Sequence, residues 1–360
     1  MVIDPIIKED VDNIIAAVGL EFGILAGKTI LITGANGFLP SYLVDTVSRL
    51  NETVFSKSPT KVVAVTRRPA KKNDRLVQHI GDPNVIFSNQ DVGKNFIVPK
   101  GVDYIIHGAS KASPVDFMKD PIDTIDANVA GTRVILEYAA KNKTKGLLFI
   151  SSSEVYGDPD PKRVPIKESY FGSVNPIGTR SSYQESKRFS ETLCYNFFKT
   201  YGIPAKIARC FLTYGPRMRL HDGRVIPDFM YNGLSGKDIE MKAGPGFERA
   251  FSYVSDTVEQ FWRVLLLGRS GEAYNVGSDK VMTIAGLAEL FVKIFDNRIK
   301  ARTVGKKSQA GLVTAPKKVA PDLSKIRKEL GYKTKFISVE GGLRRMKEWC
   351  ELYRDSIEGI

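Results

Sequence analysis

Two short segments of the chain carry side chains whose types and spacing suit proton and hydride chemistry. In "SSYQESKRFSETL", Tyr183 and Lys187 stand four residues apart, which puts both on one face of a helix. A free phenol titrates at about pH 10 and is a poor base at neutrality. A nearby ammonium stabilises the phenolate and lowers that value, giving a usable general base. Taken alone, the pair is also what an exposed helix face produces by chance. The second segment, Ser151-Ser152-Ser153-Glu154-Val155-Tyr156-Gly157, follows the apolar run Gly146–Ile150. It is either a polar strand end or half of a catalytic site.

The elements that must position these groups are legible as a rhythm. Apolar β-like runs at Thr29–Thr33, Val62–Val65, Val85–Phe87, Tyr104–His107, Leu147–Ile150 and Ala205–Phe211 alternate with longer helical stretches. That alternation predicts an α/β fold, a Rossmann-type doubly wound parallel sheet with helices on both faces. Ligands of such sheets bind outside the carboxyl ends of the strands, where Ser152 would face Tyr183. Residues 1–26 contain an amphipathic helix candidate, with Ile6, Ile7, Val11, Ile14, Ile15 and Val18 at helical spacing, read as a packed extension. Residues 27–211 form the dinucleotide-binding domain with the catalytic residues. After Tyr214 the rhythm breaks, and residues 212–360 are read mainly as a smaller substrate-binding lobe, some segments returning to the first domain.

The first strand runs into "TGANGFLPSYLV", which opens a helix. Gly34 and Gly37 let the backbone approach a pyrophosphate, whose charge then sits at the helix N-terminus. Glycine pairs also occur in simple strand-to-helix turns; the position after the first strand favours a dinucleotide. Pro40 stands where a third glycine is expected. Proline is tolerated in a first helical turn, so the change should alter helix–strand packing more than phosphate binding. The second strand ends Thr66-Arg67-Arg68, with no acid to hold a ribose 2′-hydroxyl. An arginine there accommodates a 2′-phosphate, so NADP stands beside NAD. The alternative is a pair of solvated arginines, or arginines that meet the adenine-side phosphates.

Composition sets outer limits. The chain has 360 residues, 42% hydrophobic and 26% charged, values of an ordinary soluble globular protein. No apolar segment approaches the roughly 20 residues that cross a bilayer, so no membrane insertion is expected. The net charge of +13 is spread over short groups such as Lys141–Lys145, Lys306-Lys307 and Lys317-Lys318. No nucleic-acid motif accompanies them; part of the surplus would attract an acidic, phosphorylated substrate. Cys194, Cys210 and Cys350 are far apart and odd in number, as expected of reduced thiols in the cytoplasm. The site so read requires no metal.

Together these segments resemble the extended short-chain dehydrogenase/reductase family, the nucleotide-sugar epimerases, dehydratases and decarboxylases. The resemblance runs from Lys28 to about Trp349 and includes Asp91-Val92, "HGASKASP", Asn128, "FLTYGPRM", "RAFSYVSD" and "YNVGS". Within the family the decarboxylases of UDP-glucuronate are the most alike, in "SEVYGDP", "VNPIGTRSSYQESKR", "YGPRM…DGRV" and "RAFSYVSD".

That resemblance implies roles. Tyr183 takes the proton of the sugar C4 hydroxyl while hydride leaves C4, Ser152 bonds the same oxygen, and Lys187 holds the nicotinamide ribose and tunes Tyr183. Glu154 and Ser153 match the family's catalytic glutamate and its neighbour, and Arg249 an arginine near the decarboxylation centre. Arg180 would meet a sugar carboxylate; for it and Arg249 a surface ion pair is the alternative. Arg217 and Arg224 would meet a diphosphate, or else belong to the basic surface. Cofactor contacts would come from Gly34, Asn36, Gly37, Phe38, Leu39, Arg67, Asp91, Val92, Ala109, Ser110 and Asn128, and further substrate contacts from Ser113 and Leu212. The resemblance also implies a homodimer through a four-helix interface. Leu212 stands where those decarboxylases carry asparagine, and Lys111 where they carry proline, which leaves sugar and nucleotide open. A 4,6-dehydratase needs an acid where Ser153 stands; a 4-epimerase usually lacks the glutamate. A non-catalytic dinucleotide sensor would tend to lose the tyrosine or lysine.

Overall fold

A computed structural model describes residues 4–71, 74–241, 244–304, 316–333 and 336–353; Lys306-Lys307 lie outside them. The predicted apolar runs form β1 (Thr29–Thr33), β2 (Lys61–Thr66), β3 (Val85–Asn89), β4 (Tyr104–His107), β5 (Gly146–Ser152) and β6 (Ala205–Cys210). They join one parallel sheet of order β3-β2-β1-β4-β5-β6, which the strand Ala273–Val276 extends beside β6 to seven strands. Strands covered on both faces read as continuous apolar runs rather than alternating ones. In keeping with this, every residue of β4 and β5 is buried. Register brings Thr33 beside His107 and Ser152 beside Cys210. The chemistry-bearing residues therefore reach the same edge.

On one face lie α2 (Phe38–Thr53) and the helix Val254–Leu267, covered in turn by α1 (Pro5–Val18). Asp4 caps α1 by accepting from the amides of Ile6 (2.9 Å) and Ile7 (3.1 Å). Its apolar stripe of Ile7, Val11, Ile14 and Val18 enters the core with Val44, Val47 and Trp262, while Ile15 is only partly buried. On the other face lie α3 (Pro114–Lys119), the long α4 (Pro121–Asn142) and α5 (Ser181–Tyr201), the last two packed along each other. Beyond β6 the chain builds small sheets, Ile239–Met241 with Ala301–Thr303, and Glu248–Ala250 with Val281–Thr283 and Lys318–Val319. The helix Val225–Leu234 packs with them. The helix Val254–Leu267 and the strand Ala273–Val276 then return to the main sheet.

Pro40 is the third residue of α2, where its missing N–H has no intrahelical partner to lose. Its ring occupies the volume a side chain would need on the facing strand end. A Cβ on Gly108 would come within 2.9 Å of Pro40 Cγ and 3.3 Å of Ile150 Cδ1. Bulk at position 40 is thus matched by its absence at position 108, and α2 keeps its seat over β1 and β4. Gly108→Ala should destabilise the fold by about 1–3 kcal/mol, as inserted methyl groups in packed interiors do. Pro40→Gly in the same chain should recover most of that loss. Denaturant midpoints of the two single variants and the double variant measure the coupling; additive losses would contradict the pairing.

Candidate active site

The turn after β1 is shaped for close approach. Gly34 has φ +66°, and a Cβ there would lie 2.8 Å from Ala109 Cα. The Gly37 amide closes the turn on the Gly34 carbonyl at 2.7 Å, and Gly37 caps α2. Phe38 and Leu39 begin the helix, Phe38 edge-on to Tyr42. Across the cleft, the Ala109 amide donates to Thr33 Oγ1 at 3.2 Å. Four polar atoms of the turn, of the end of β4 and of α4 are buried without a hydrogen-bond partner among the described residues: Asn36 Oδ1, His107 Nε2, Ser110 Oγ and Asn128 Oδ1. Buried polar atoms are rarely left unpaired in proteins. A glycine turn at a helix N-terminus, together with such atoms, fits a dinucleotide. Asp91 caps the Gly93 amide at 3.0 Å and Val92 is buried against Gly131, so this pair shapes the floor beside α4. Arg67 is exposed at the end of β2.

The catalytic candidates converge where β5 meets α5. Tyr183, Lys187 and Ser152 are 6%, 2% and 8% exposed. Ser152 hydrogen-bonds Tyr183 through its side chain, and its Oγ also accepts from the Glu154 amide at 3.2 Å. Phe117 on α3 stacks flat on Tyr183, with ring centroids 5.0 Å apart at 8°. The Arg180 guanidinium lies 5.3 Å from the same Phe117 ring. Lys187 Nζ donates to the Ile150 carbonyl at 2.8 Å and stands 4.7 Å from the Phe149 ring.

The electrostatics reverse one expectation. Spacing predicts a phenol lowered by its lysine; in the folded protein burial pushes Tyr183 up to about 12, with the Ser152 bond opposing. Lys187 is itself drawn down to about 7 by burial, so its ammonium is only partly populated at neutrality. Its Nζ lies 5.9 Å from the Tyr183 ring centre. His107, whose Nδ1 meets Thr33 Oγ1 at 2.6 Å, falls to about 3 through burial and the Lys187 charge, and is neutral. Poising Tyr183 as a base at neutral pH thus requires a further positive charge in the cleft.

Glu154 lies beside Ser153 in the short turn Ser153–Tyr156. Arg180 grips its carboxylate at 2.6 and 3.3 Å, and Gln184 donates to it at 2.8 Å. These residues line a cavity of about 670 Å³, whose far wall includes Leu212, Arg224, Phe247 and Arg249. Arg224 pairs with Asp222, and Arg249 donates to the carbonyls of Glu248 (2.8 Å) and Lys317 (3.3 Å). Ser152, Tyr183 and Lys187 lie beside this lining rather than in it, and two predicted substrate contacts are outside it as well. Arg217 is buried in an ion pair with Asp45 of α2. Ser113 caps α3, with its hydroxyl on Asp116 at 2.8 Å and Arg219 at 3.2 Å.

Sequence reasoning missed Gln184, Phe117 and the support behind the site. Ser151 donates to Glu191 at 2.6 Å, and Arg209 of β6 grips Glu191 at 2.7 Å and donates to Tyr156 Oη at 2.9 Å. Glu191 is one turn beyond Lys187, a spacing visible in the sequence. Its charge opposes the fall that burial imposes on Lys187. Glu191→Gln should therefore lower Lys187 further, so that the ammonium is lost at a lower pH. The alkaline limb of kcat/KM, which reports the free enzyme, should shift acidward; an unmoved limb would contradict this role.

Residues 30–277 match the family model described as the NAD dependent epimerase/dehydratase family. The chain is 36% identical over 319 residues to UDP-glucuronic acid decarboxylase 6 of Arabidopsis thaliana, covering 89% of this chain and 88% of that one. It is 35% identical over 323 residues to UDP-glucuronic acid decarboxylase 1 of Xenopus tropicalis, with 88% and 71% covered. The fold superposes on dTDP-glucose 4,6-dehydratase of Bacillus anthracis, solved in complex with NAD, with a TM-score of 0.75 at 23% identity, covering 92% of this chain and 99% of that one. By the extent of these matches, the chain belongs to the NAD dependent epimerase/dehydratase family.

Proposed function

We propose that this protein decarboxylates a UDP-hexuronate, of the UDP-glucuronate to UDP-xylose type, with NAD as the cofactor that its cleft would hold tightly. The observation that carries the reading is Glu154, fixed by Arg180 and Gln184 on the cavity wall beside Ser152 and Tyr183, with serine rather than an acid at position 153. The relatives' activity supports it.

The glycine turn, Asn36, Ser110 and Asn128 would hold the dinucleotide. When bound, it supplies a positive charge near Tyr183 and takes up and returns the C4 hydride. Tyr183 accepts the proton of the C4 hydroxyl, while Ser152 holds that oxygen in line. A carboxylate at C5 is then β to a ketone, and the C5–carboxyl bond breaks because its electrons delocalise into that ketone. CO2 leaves and C5 takes a proton. Tyr183 gives its proton back to O4 as C4 regains hydride, and Lys187 would hold the nicotinamide ribose beside it. Glu154 and Arg249 serve the step at C5. Arg180, the expected partner of the sugar carboxylate, meets Glu154 in the protein alone, so the two carboxylates compete for one guanidinium.

The outward faces of α4 and α5 expose Ile122, Ile125, Phe189, Tyr195 and Tyr201. Apolar side chains on two adjacent helices support a homodimer closed as a four-helix interface. None of the helices among the described residues is long and apolar enough to cross a membrane. Three unpaired cysteines, two of them buried, support residence in the cytoplasm.

Incubated with UDP-glucuronate and NAD, the protein should release CO2 and a UDP-pentose in equal amounts. A UDP-hexuronate epimer without CO2 would favour a 4-epimerase, and no turnover of any nucleotide sugar a non-catalytic role. Tyr183→Phe should lose at least about 100-fold in kcat, as removal of a general base does. Glu154→Gln should keep C4 oxidation while losing CO2 release; full decarboxylation by that variant would remove Glu154 from the mechanism.

A further inference from the structure

The adenosine end of the cofactor cleft departs from what an NAD-only site requires. In doubly wound sheets an acid near the end of the second strand holds the ribose 2′-hydroxyl, and its charge repels a 2′-phosphate. Here β2 ends in Thr66, which is buried, its hydroxyl turned to the Arg68 carbonyl (2.8 Å) and Asn89 Oδ1 (3.0 Å). It presents no carboxylate to a ribose.

The segment after Thr66 is cationic. The described residues of 66–75 include Arg67, Arg68, Lys71 and Arg75 against the single acid Asp74. That acid is already engaged: Arg68 grips it with two bonds at 2.7 and 2.8 Å, and the Lys71 amide donates to it at 2.6 Å. Burial alone would raise Asp74, but these bonds hold it below the usual carboxylate range, ionised and paired. Arg75 ties the segment to the glycine turn, donating to the Asn36 carbonyl at 3.2 Å and to the Arg217 carbonyl at 2.8 Å. Burial and then the charges of Arg217 and Arg219 lower Arg75 to about 10. Arg67 makes no hydrogen bond or ion pair among the described residues, and it is exposed. A planar guanidinium suits a phosphate as a two-pronged partner.

We propose that this cleft takes a 2′-phosphorylated dinucleotide as readily as NAD, with Arg67 as the residue that recognises the 2′-phosphate. Arg68 serves a different purpose, neutralising Asp74 so that it does not repel that phosphate. Recognition here concerns the cofactor cleft and not the sugar, so binding tests it without turnover.

The experiment is calorimetric titration of the full chain, freed of resident nucleotide, with NAD and with NADP. The same titrations are made on Arg67→Ala, whose exposed side chain makes no hydrogen bond or ion pair among the described residues. The unaltered protein should bind NADP with a Kd within tenfold of that for NAD. Arg67→Ala should shift the ratio of the two constants at least threefold against NADP. Binding of NADP more than tenfold weaker than NAD, or a ratio moved less than threefold, would overturn the proposal. These outcomes are independent of whether UDP-glucuronate is turned over.

Discussion

A lysine ammonium with a carbonyl at 2.8 Å and an aromatic face at 4.7 Å for company is the constraint on which the rest of the site depends. Withdrawing such a group from water costs several kcal/mol unless it is paired, and Lys187 responds by falling to about 7. The structure limits the fall by placing Glu191 one helical turn away, but a carboxylate there must itself be held. Ser151 and Arg209 hold it. Because Ser151 is on β5, Glu191 on α5 and Arg209 on β6, the ion pair that serves Lys187 also locks three elements together. Tyr156, bonded by Arg209 and donating to Asn275 at 2.7 Å, extends that lock to the seventh strand of the sheet.

With α5 so fixed, one helix presents most of the chemistry. Arg180 at its start, then Tyr183, Gln184 and Lys187, follow at three- and four-residue steps and face the end of β5. Sites on rigid elements hold their geometry better than sites on loops. Phe117 adds a flat aromatic wall behind Tyr183 and beneath Arg180. The opposite side of the cavity comes from later segments of the chain, through Leu212, Arg224 and Arg249. Ser152, Tyr183 and Lys187 are thus fixed by the sheet and α5, whereas Leu212, Arg224 and Arg249 come from segments beyond β6.

The central sheet was legible because strands buried on both faces are apolar throughout, and each predicted run became a strand, β1 and β4 with the predicted ends and the others with ends displaced by a residue or two. Tyr183, Lys187 and Ser152 were legible because helical spacing and strand ends are local features. The features that escaped sequence reading depend on distant partners. Arg217 sits in the "YGPRM" loop, yet its charge goes to Asp45, 172 positions away in the chain. Gly108 has meaning only once Pro40 is known to press on it. The direction of the Tyr183 shift was missed for a related reason. Spacing reveals the neighbouring lysine, but not the burial that raises the phenol.

The central claim is that carbon dioxide leaves only after C4 has been oxidised, with the same hydride later returned. The most direct measurement uses UDP-glucuronate deuterated at C4 and follows the label in the product by nuclear magnetic resonance. The account predicts that the UDP-pentose retains deuterium at C4, carries a solvent hydrogen at C5, and forms more slowly than from unlabelled substrate. Exchange of the C4 deuterium with solvent, or decarboxylation at C5 with C4 never oxidised, would contradict it.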